Sequence, residues 1–338
     1  MKKAYWLIAG VAAVSVAMFG ATNCTGITPD EELTKFEETR ILMDTFVTVT
    51  VYTSGEENAQ EVISTAFARI EEIEREASIF YEKSEAFSLN RDGYLEAPSE
   101  DFRQMITLSL DYSQITDGYF DITVQPLLNL WQAGLWQESE AIQQSRIGET
   151  LGLVGGDKIV IGDEKIYFTV EGMEITLGGI AKGYAVDEAL SIISDTGVEH
   201  ALINAGGDMR MLGTKPQGDP WLVALVNPDN TSQSLAKFSL TDKAIATSGN
   251  YERYFDPEKE AHHIINPKTG YSAAGCISTT VIAPSVTQAD ALATSIFVMG
   301  PEAGIELIES IDDTECLIVD ADRSTIHLSS GLSQYMVQ

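Results

Sequence analysis

The stretch that most constrains the fold is Ile175 to Ala185, ITLGGIAKGYA. Gly178 and Gly179 lack a Cβ, so the backbone there can press close to a ligand, and the N–H groups of a following helix point into the same space. Tyr184, Val186, Ala189, Leu190 and Ile193 recur at helical spacing and give that helix an apolar face. The segment reads as a strand end, a glycine turn and the first turn of a helix, with Lys182 adding a positive charge where an anion would sit. It contains neither G-x-x-x-x-G-K-[ST] nor G-x-G-x-x-G, so it signals neither a P-loop nor a Rossmann nucleotide site. Taken alone, such a turn serves close packing as readily as binding.

A chain of 338 residues with 44% hydrophobic content can bury a large core. Its formal charge of −30, from 51 acidic against 21 basic residues, argues against nucleic acid as a partner, because phosphate binding needs clustered Lys and Arg. The N-terminus has a different character. Lys2 and Lys3 precede YWLIAGVAAVSVAMFG, which has the length and flanks of a secretory h-region. Residues 1–24 are expected to be a signal peptide or membrane anchor, 25–39 a linker, and 40–338 the functional domain. Two tethers fit this pattern: acylation of Cys24 after cleavage, or an uncleaved signal anchor approaching the ~20 residues that span a bilayer. Either one leaves the body membrane-anchored on the extracytoplasmic face. Cys276 and Cys316 either pair in that oxidising setting or stay buried as free thiols.

Along the chain, FVTVTVY (Phe46 to Tyr52) alternates with period two and predicts a half-buried strand. Val62, Ile63, Ala66, Phe67, Ile70 and Ile73 predict an amphipathic helix over 57–77. SIFYEKSEAFSLN (Ser78 to Asn90) reads as a loop rich in aromatics. Ser99, after Pro98, is placed to cap a second helix running through Phe102, Met105, Ile106 and Tyr112 and ending at Asp117-Gly118. Residues 154–170 read as a hairpin turning at Gly162-Asp163, and Gly197 closes the helix after the glycine turn. ALINAGGDMRMLG reads as a strand broken by Gly206 and Gly207, followed by WLVALVNP. A strand at 276–283, a helix at 286–299, a shorter helix and a strand pair between Cys316 and Leu328 complete the chain. Helices and strands intermingle without strict β-α-β alternation, so the class is α+β, with mixed sheets flanked by helices.

Several stretches bear on one another: Met43-Asp44-Thr45-Phe46; Ser78 to Asn90 with Phe80 and Ser84; Gly118-Tyr119-Phe120-Asp121; and ITLGGIAKGYA with AGGD at 205–208. ATSGNYERY (246–254), HHIINPKTG (262–270) and TQADALATSIF (287–297) complete the set. In this order and spacing the set resembles the ApbE family of FAD:protein FMN transferases, over roughly residues 40–300. The resemblance implies an ApbE-like fold with its active site in a cleft between two subregions. It also implies an enzyme that takes FAD as substrate with Mg²⁺, splits the pyrophosphate, attaches FMN to a Thr or Ser hydroxyl of an exported acceptor protein, and releases AMP. The acceptors it implies are subunits of redox complexes and other FMN-binding domains.

By matching position, the resemblance implies that Met43, Phe80, Tyr119, Phe120, Asp121, Thr176, Lys182, His263 and Ile265 contact the flavin nucleotide. It implies that the carbonyl of Gly179 and the side chains of Asp290 and Thr294 hold the metal, and that His263 and Asp290 carry catalysis. Bland duties stand beside these roles: Met43 and Phe80 as core residues, Asp121 as a helix cap, Lys182 in a surface ion pair worth under ~1 kcal/mol. A spacing of four puts Asp290 and Thr294 on one helix face, where hard oxygen donors suit Mg²⁺. The alternative for Thr294 is a bond back to the carbonyl of Asp290.

Adjacent residues on an extended strand point to opposite faces, so His262 and His263 are not expected to chelate one ion. His263 is expected to face the site as a near-neutral base, and His262 to lie exposed. His200 and His327 match no motif. Thr176 and Asn266 stand where the family often carries Asp, which removes negative charge beside the proposed dication. Two rival functions remain at this stage: an FAD pyrophosphatase in which water replaces the acceptor, and a flavin-binding lipoprotein without turnover.

Overall fold

Val47, Val49 and Val51 are wholly buried, and the run that holds them lies in β2 (Thr45–Thr53), paired antiparallel with β1 (Thr34–Leu42). The computed structural model describes residues 32–337 apart from 252, 257, 259 and 260, so the expected signal segment and Cys24 lie outside the described residues. β1 begins inside the stretch expected to be linker. Its TKFEETRIL sequence is polar because it is an edge strand, and charged side chains on an exposed edge discourage pairing with another chain.

α1 (Glu56–Ala77) lays Val62, Ile63, Ala66, Phe67, Ile70 and Ile73 on the sheet. The stretch read as an aromatic loop contains α2 (Glu85–Asp92), whose N-cap Ser84 accepts from the Phe87 N–H. β3 (Tyr94–Glu96) follows. Ser99 caps α3 (Glu100–Ile115) by accepting from Phe102, as its position predicts. α4 (Gln125–Gln132) and α5 (Glu140–Thr150) come next. β4 (Ile159–Ile161) and β5 (Lys165–Phe168) form the expected hairpin.

Ile175 is extended but lies in no strand; Asn90 holds its backbone by accepting from its N–H and donating to its carbonyl. α6 (Ala181–Asp195) starts just after the glycine turn, and Gly197, at φ +86°, follows it in the left-handed conformation that suits glycine. The broken strand proves to be a hairpin, β6 (Ala201–Ala205) and β7 (Asp208–Leu212), with Gly206-Gly207 as its turn. β8 (Trp221–Asn227) and β9 (Asn230–Leu240) make another. β10 (Ala244–Gly249), β11 (Tyr254–Asp256), β12 (Ala261–His262), β13 (Cys276–Ala283), α7 (Val286–Met299), α8 (Pro301–Glu309), β14 (Glu315–Asp320) and β15 (Ile326–Leu328) follow.

The main sheet has eight strands in the order β1-β2-β6-β7-β10-β13-β14-β15. α1, α6 and α7 cover one face, while β8 and β9 pack Trp221, Val223 and Phe238 on the other. β13 is buried at every position, and its hydroxyls are satisfied: Thr279 donates to the Ala293 carbonyl at 2.7 Å and Thr280 meets Thr247 at 2.9 Å. A smaller core of Leu127, Trp131, Leu135, Ile147, Ala261 and Ile265 forms a second subregion, where the Trp131 indole donates to the Gly270 carbonyl at 2.8 Å. Cys276 and Cys316 are buried free thiols in the adjacent strands β13 and β14, with Cys316 facing Val281 and Cys276 facing Asp320 across the ladder. Burial pushes both thiols up to about 12.

Candidate active site

Two hairpin turns and the end of a third strand meet at one end of the main sheet. The β1–β2 turn consists of Met43 and Asp44, both at positive φ (+52° and +59°), a two-residue hairpin geometry that normally selects Asn and Gly. Strain of this kind persists only where neighbours enforce it. Here Glu74 of α1 accepts the Met43 N–H at 2.8 Å. Gly206 lies against Thr45 so closely that a Cβ there would come within 2.3 Å of its Oγ1. The third wall is the end of β10, where Thr247, Ser248 and Gly249 face the glycine turn across a cavity of ≈ 460 Å³. That volume lies within the range of small-molecule sites.

Every residue given a flavin-contact, metal or catalytic role from the sequence lines this cavity. Met43, Phe80, Tyr119, Phe120 and Asp121 form one part of its wall; Thr176, Gly179 and Lys182 another; His263, Ile265, Asp290 and Thr294 the rest. The cavity lies between the main sheet-and-helix body and the smaller subregion that supplies Gln125, Leu128, Phe255 and Ile265. Phe80 is 76% exposed, far from a core residue.

Asp290 is only 5% exposed, and the Gly183 N–H donates to its Oδ2 at 3.4 Å. Thr294 does not turn back on the helix; its Oγ1 lies 3.1 Å from Ser248 Oγ. A Cβ on Gly179 would sit 3.4 Å from Thr294 Oγ1, so glycine lets the turn come within contact of α7. A carboxylate, hydroxyls and a nearby backbone carbonyl make a hard-oxygen donor set that fits Mg²⁺. Among the described residues no group of three or more His, Cys, Asp or Glu side chains is placed to hold a metal ion.

Lys182 is ion-paired with Asp208, whose side chain is 3% exposed, and the Thr247 N–H also donates to Asp208 at 3.4 Å. The lysine is therefore anchored from below while its side chain remains partly open to the cavity. Asp121 performs the capping duty as well as lining the wall: it accepts from the Thr123 N–H at 2.8 Å and from the Gly156 N–H at 3.0 Å. Burial outweighs these bonds and raises its carboxyl above the ordinary value.

One of the two histidines departs from the surroundings expected of it. His262 is buried, with Nδ1 accepting from the Ile264 N–H at 3.2 Å and Nε2 against the Ala273 carbonyl at 2.8 Å. That pattern defines a neutral Nε2–H tautomer packed edge-on to Phe297. The side of β12 turned away from the cavity faces α7 rather than solvent, which is why the residue expected to be exposed is not. His263 faces the cavity, and its Nδ1 lies 3.1 Å from the Arg253 carbonyl. A carbonyl only accepts, so Nδ1 carries the proton and Nε2 the lone pair. Burial lowers its pKa to about 4, so the ring is neutral at pH 7, but it is a weaker base than an ordinary imidazole.

Comparison with known proteins now bears on this geometry. A model of the ApbE family matches residues 43–318. The chain belongs to the ApbE family. The FAD:protein FMN transferase of Haemophilus influenzae is 29% identical over 276 residues, covering 78% of this chain and 80% of that protein. That of Escherichia coli K12 is 30% identical over 239 residues, 68% of each. The crystal structure of the ApbE protein from Thermotoga maritima superposes with a TM-score of 0.80 at 30% identity, covering 90% of this chain and 100% of that one. Beyond the assigned residues, this ApbE chain brings Glu74, Ser248 and Arg253 to the cavity and Asp208 beneath it. Glu74 carried no local signal, since it acts through a partner distant in sequence; Asp208 stood in the AGGD motif, but its pairing with Lys182 did not show there.

Proposed function

We propose that this protein is a FAD:protein FMN transferase that moves FMN from FAD to a Thr or Ser hydroxyl of an exported acceptor protein. The observation that carries the reading is the meeting of an anchored cation (Lys182), an oxygen donor cluster (Asp290, Thr294, Ser248) and a neutral imidazole (His263) in one cavity. Lys182 and the N–H groups of the glycine turn are suited to the pyrophosphate. Met43, Phe80, Tyr119, Thr176 and Ile265 offer contacts to the rest of the nucleotide. Asp290, Thr294 and the Gly179 carbonyl would hold Mg²⁺, which when bound supplies Lewis-acid polarisation of phosphate oxygens.

His263 Nε2 takes the proton of the acceptor hydroxyl, whose oxygen bonds to the FMN-side phosphorus. The bridging P–O bond breaks, and AMP departs with its electron pair. Because the imidazole is a weak base, the proton moves as the new bond forms rather than before it. Thr176, neutral where the family often has Asp, leaves Asp290 as the carboxylate of this donor set; Asn266, the other such position, does not line the cavity and instead caps its own turn by accepting the Lys268 N–H at 2.9 Å. We further propose that the N-terminal segment tethers the enzyme to the membrane with its body outside the cytoplasm.

The test is to incubate the purified protein with FAD, Mg²⁺ and a candidate acceptor domain and to weigh the acceptor by mass spectrometry. Covalent FMN on the acceptor supports transfer. Free FMN with unmodified acceptor would instead indicate a pyrophosphatase, and unchanged FAD a flavin-binding protein.

A further inference from the structure

α7 carries Asp290 and Thr294, and its first turn is held by a residue of another helix. Asp187 of α6 accepts from the Val286 N–H at 3.0 Å, the Thr287 N–H at 2.8 Å and the Thr287 hydroxyl at 2.5 Å. Ser285 takes the next two donors, accepting from the Gln288 N–H at 3.2 Å with its side chain and from Ala289 with its carbonyl at 3.1 Å. The otherwise orphaned N–H groups of Val286, Thr287 and Gln288 are thereby satisfied by side chains, and the Ala289 bond is the first of the regular helical ladder. Arg210 of β7 is ion-paired with Asp187, fixing the carboxylate from the sheet side. One turn earlier on α6, Gly183 touches the same place: a Cβ there would lie 2.6 Å from the Val286 carbonyl and 2.8 Å from Thr287 N.

We propose that Asp187 is a positioning residue for the cation site, acting through α7 rather than on substrate. Its two carboxylate oxygens fasten the start of α7 to α6, the helix that follows the Gly178-Gly179 turn. The spacing between the Gly179 carbonyl and the pair Asp290 and Thr294 is thus set by the joint between two helices. A hydrogen-bonding partner that orients a ligand from outside the site typically controls ~10–100-fold of metal affinity. Neutralising Asp187 leaves Arg210 without its charge partner and turns an amide N–H₂ toward the helix donors. This inference rests on the cation site described under the proposed function.

The test uses Mn²⁺ as the probe, titrated into the full-length protein and followed by electron paramagnetic resonance, which needs no turnover. Asp187→Asn is expected to raise the Mn²⁺ concentration for half-saturation by at least ~10-fold, while FAD binding without metal stays within about twofold of wild type, since Asp187 does not line the cavity. Thr287→Val removes the hydroxyl donor and keeps both N–H bonds; a smaller rise of ~3-fold is expected, part of the same effect. Should Asp187→Asn fail to fold, Thr287→Val decides alone. Folded variants that lose thermal stability yet bind Mn²⁺ like wild type overturn the inference, because the cap would then be structural only. A wild-type protein that binds Mn²⁺ but does not flavinylate defeats the transferase reading and leaves this test intact.

Discussion

Asp290 and His263 reach one cavity from different subregions, one as a carboxylate and the other as a neutral imidazole, and each supports a prediction. Asp290→Ala removes the charged member of the donor cluster, and Thr176 and Asn266 offer no carboxylate in its place. Transfer should fall by at least ~100-fold, the scale of losing about 2.7 kcal/mol of charge stabilisation. Thr294→Val should chiefly raise the Mg²⁺ concentration for half-maximal rate; equal Mg²⁺ curves for wild type and both variants would defeat the assignment. For His263, burial depresses the folded-state pKa to about 4 from an ordinary 6.5. Its contribution to stability is therefore complete above about 6.5 and is lost as pH falls through the window down to about 4. His263→Gln should remove that component, so wild type should lose ~2 °C or more of Tm than the variant between pH 7 and pH 4. The motifs made these residues legible individually. They left the state of His263 illegible, because its low pKa comes from burial between segments distant in sequence.

Gly183 shows the same limit for whole elements. The sequence placed it within a helix, but nothing local indicates that the start of another helix lies against its Cα. Gly183→Ala should cost about 1–3 kcal/mol by overpacking and raise the Mg²⁺ requirement together with the loss of Tm; an unchanged melting curve would show that the two helices yield. α1 was readable because one apolar face meets the core, and α7 because it is buried on nearly every side and reads as an apolar run between its Ser285 cap and Gly300. β1 was not, since its outer charges dilute the alternation of an edge strand, and α2 was too short for its two buried positions, Ala86 and Leu89, to show a period. The AGGD glycines suggested a break, whereas the register Ala205 opposite Asp208 makes them a tight turn that delivers Asp208 to Lys182.

For the molecule as a whole, the α+β class followed from the mixture of patterns, but the two-layer cover of the sheet did not, because β8 and β9 read like any other strands. No helix among the described residues is long and apolar enough to cross a membrane. Anchoring would therefore fall to the segment before Glu32. Fractionated cells should retain the protein with membranes, facing outward, and Cys24→Ala should release it if acylation is the tether; recovery of the wild type in the cytoplasmic fraction would overturn the placement. Such an anchor has a mechanical side. The chain enters the folded body as β1, whose nine residues pair along their whole length with β2 and end at Met43 and Asp44 on the lip of the cavity. A pull along the strand axis would be shared among the backbone bonds of the whole β1–β2 ladder before it reached the turn at Met43 and Asp44. A pull across the strand would instead peel β1 from its free end, one backbone bond at a time, so the direction of the load decides how much of it the edge strand absorbs.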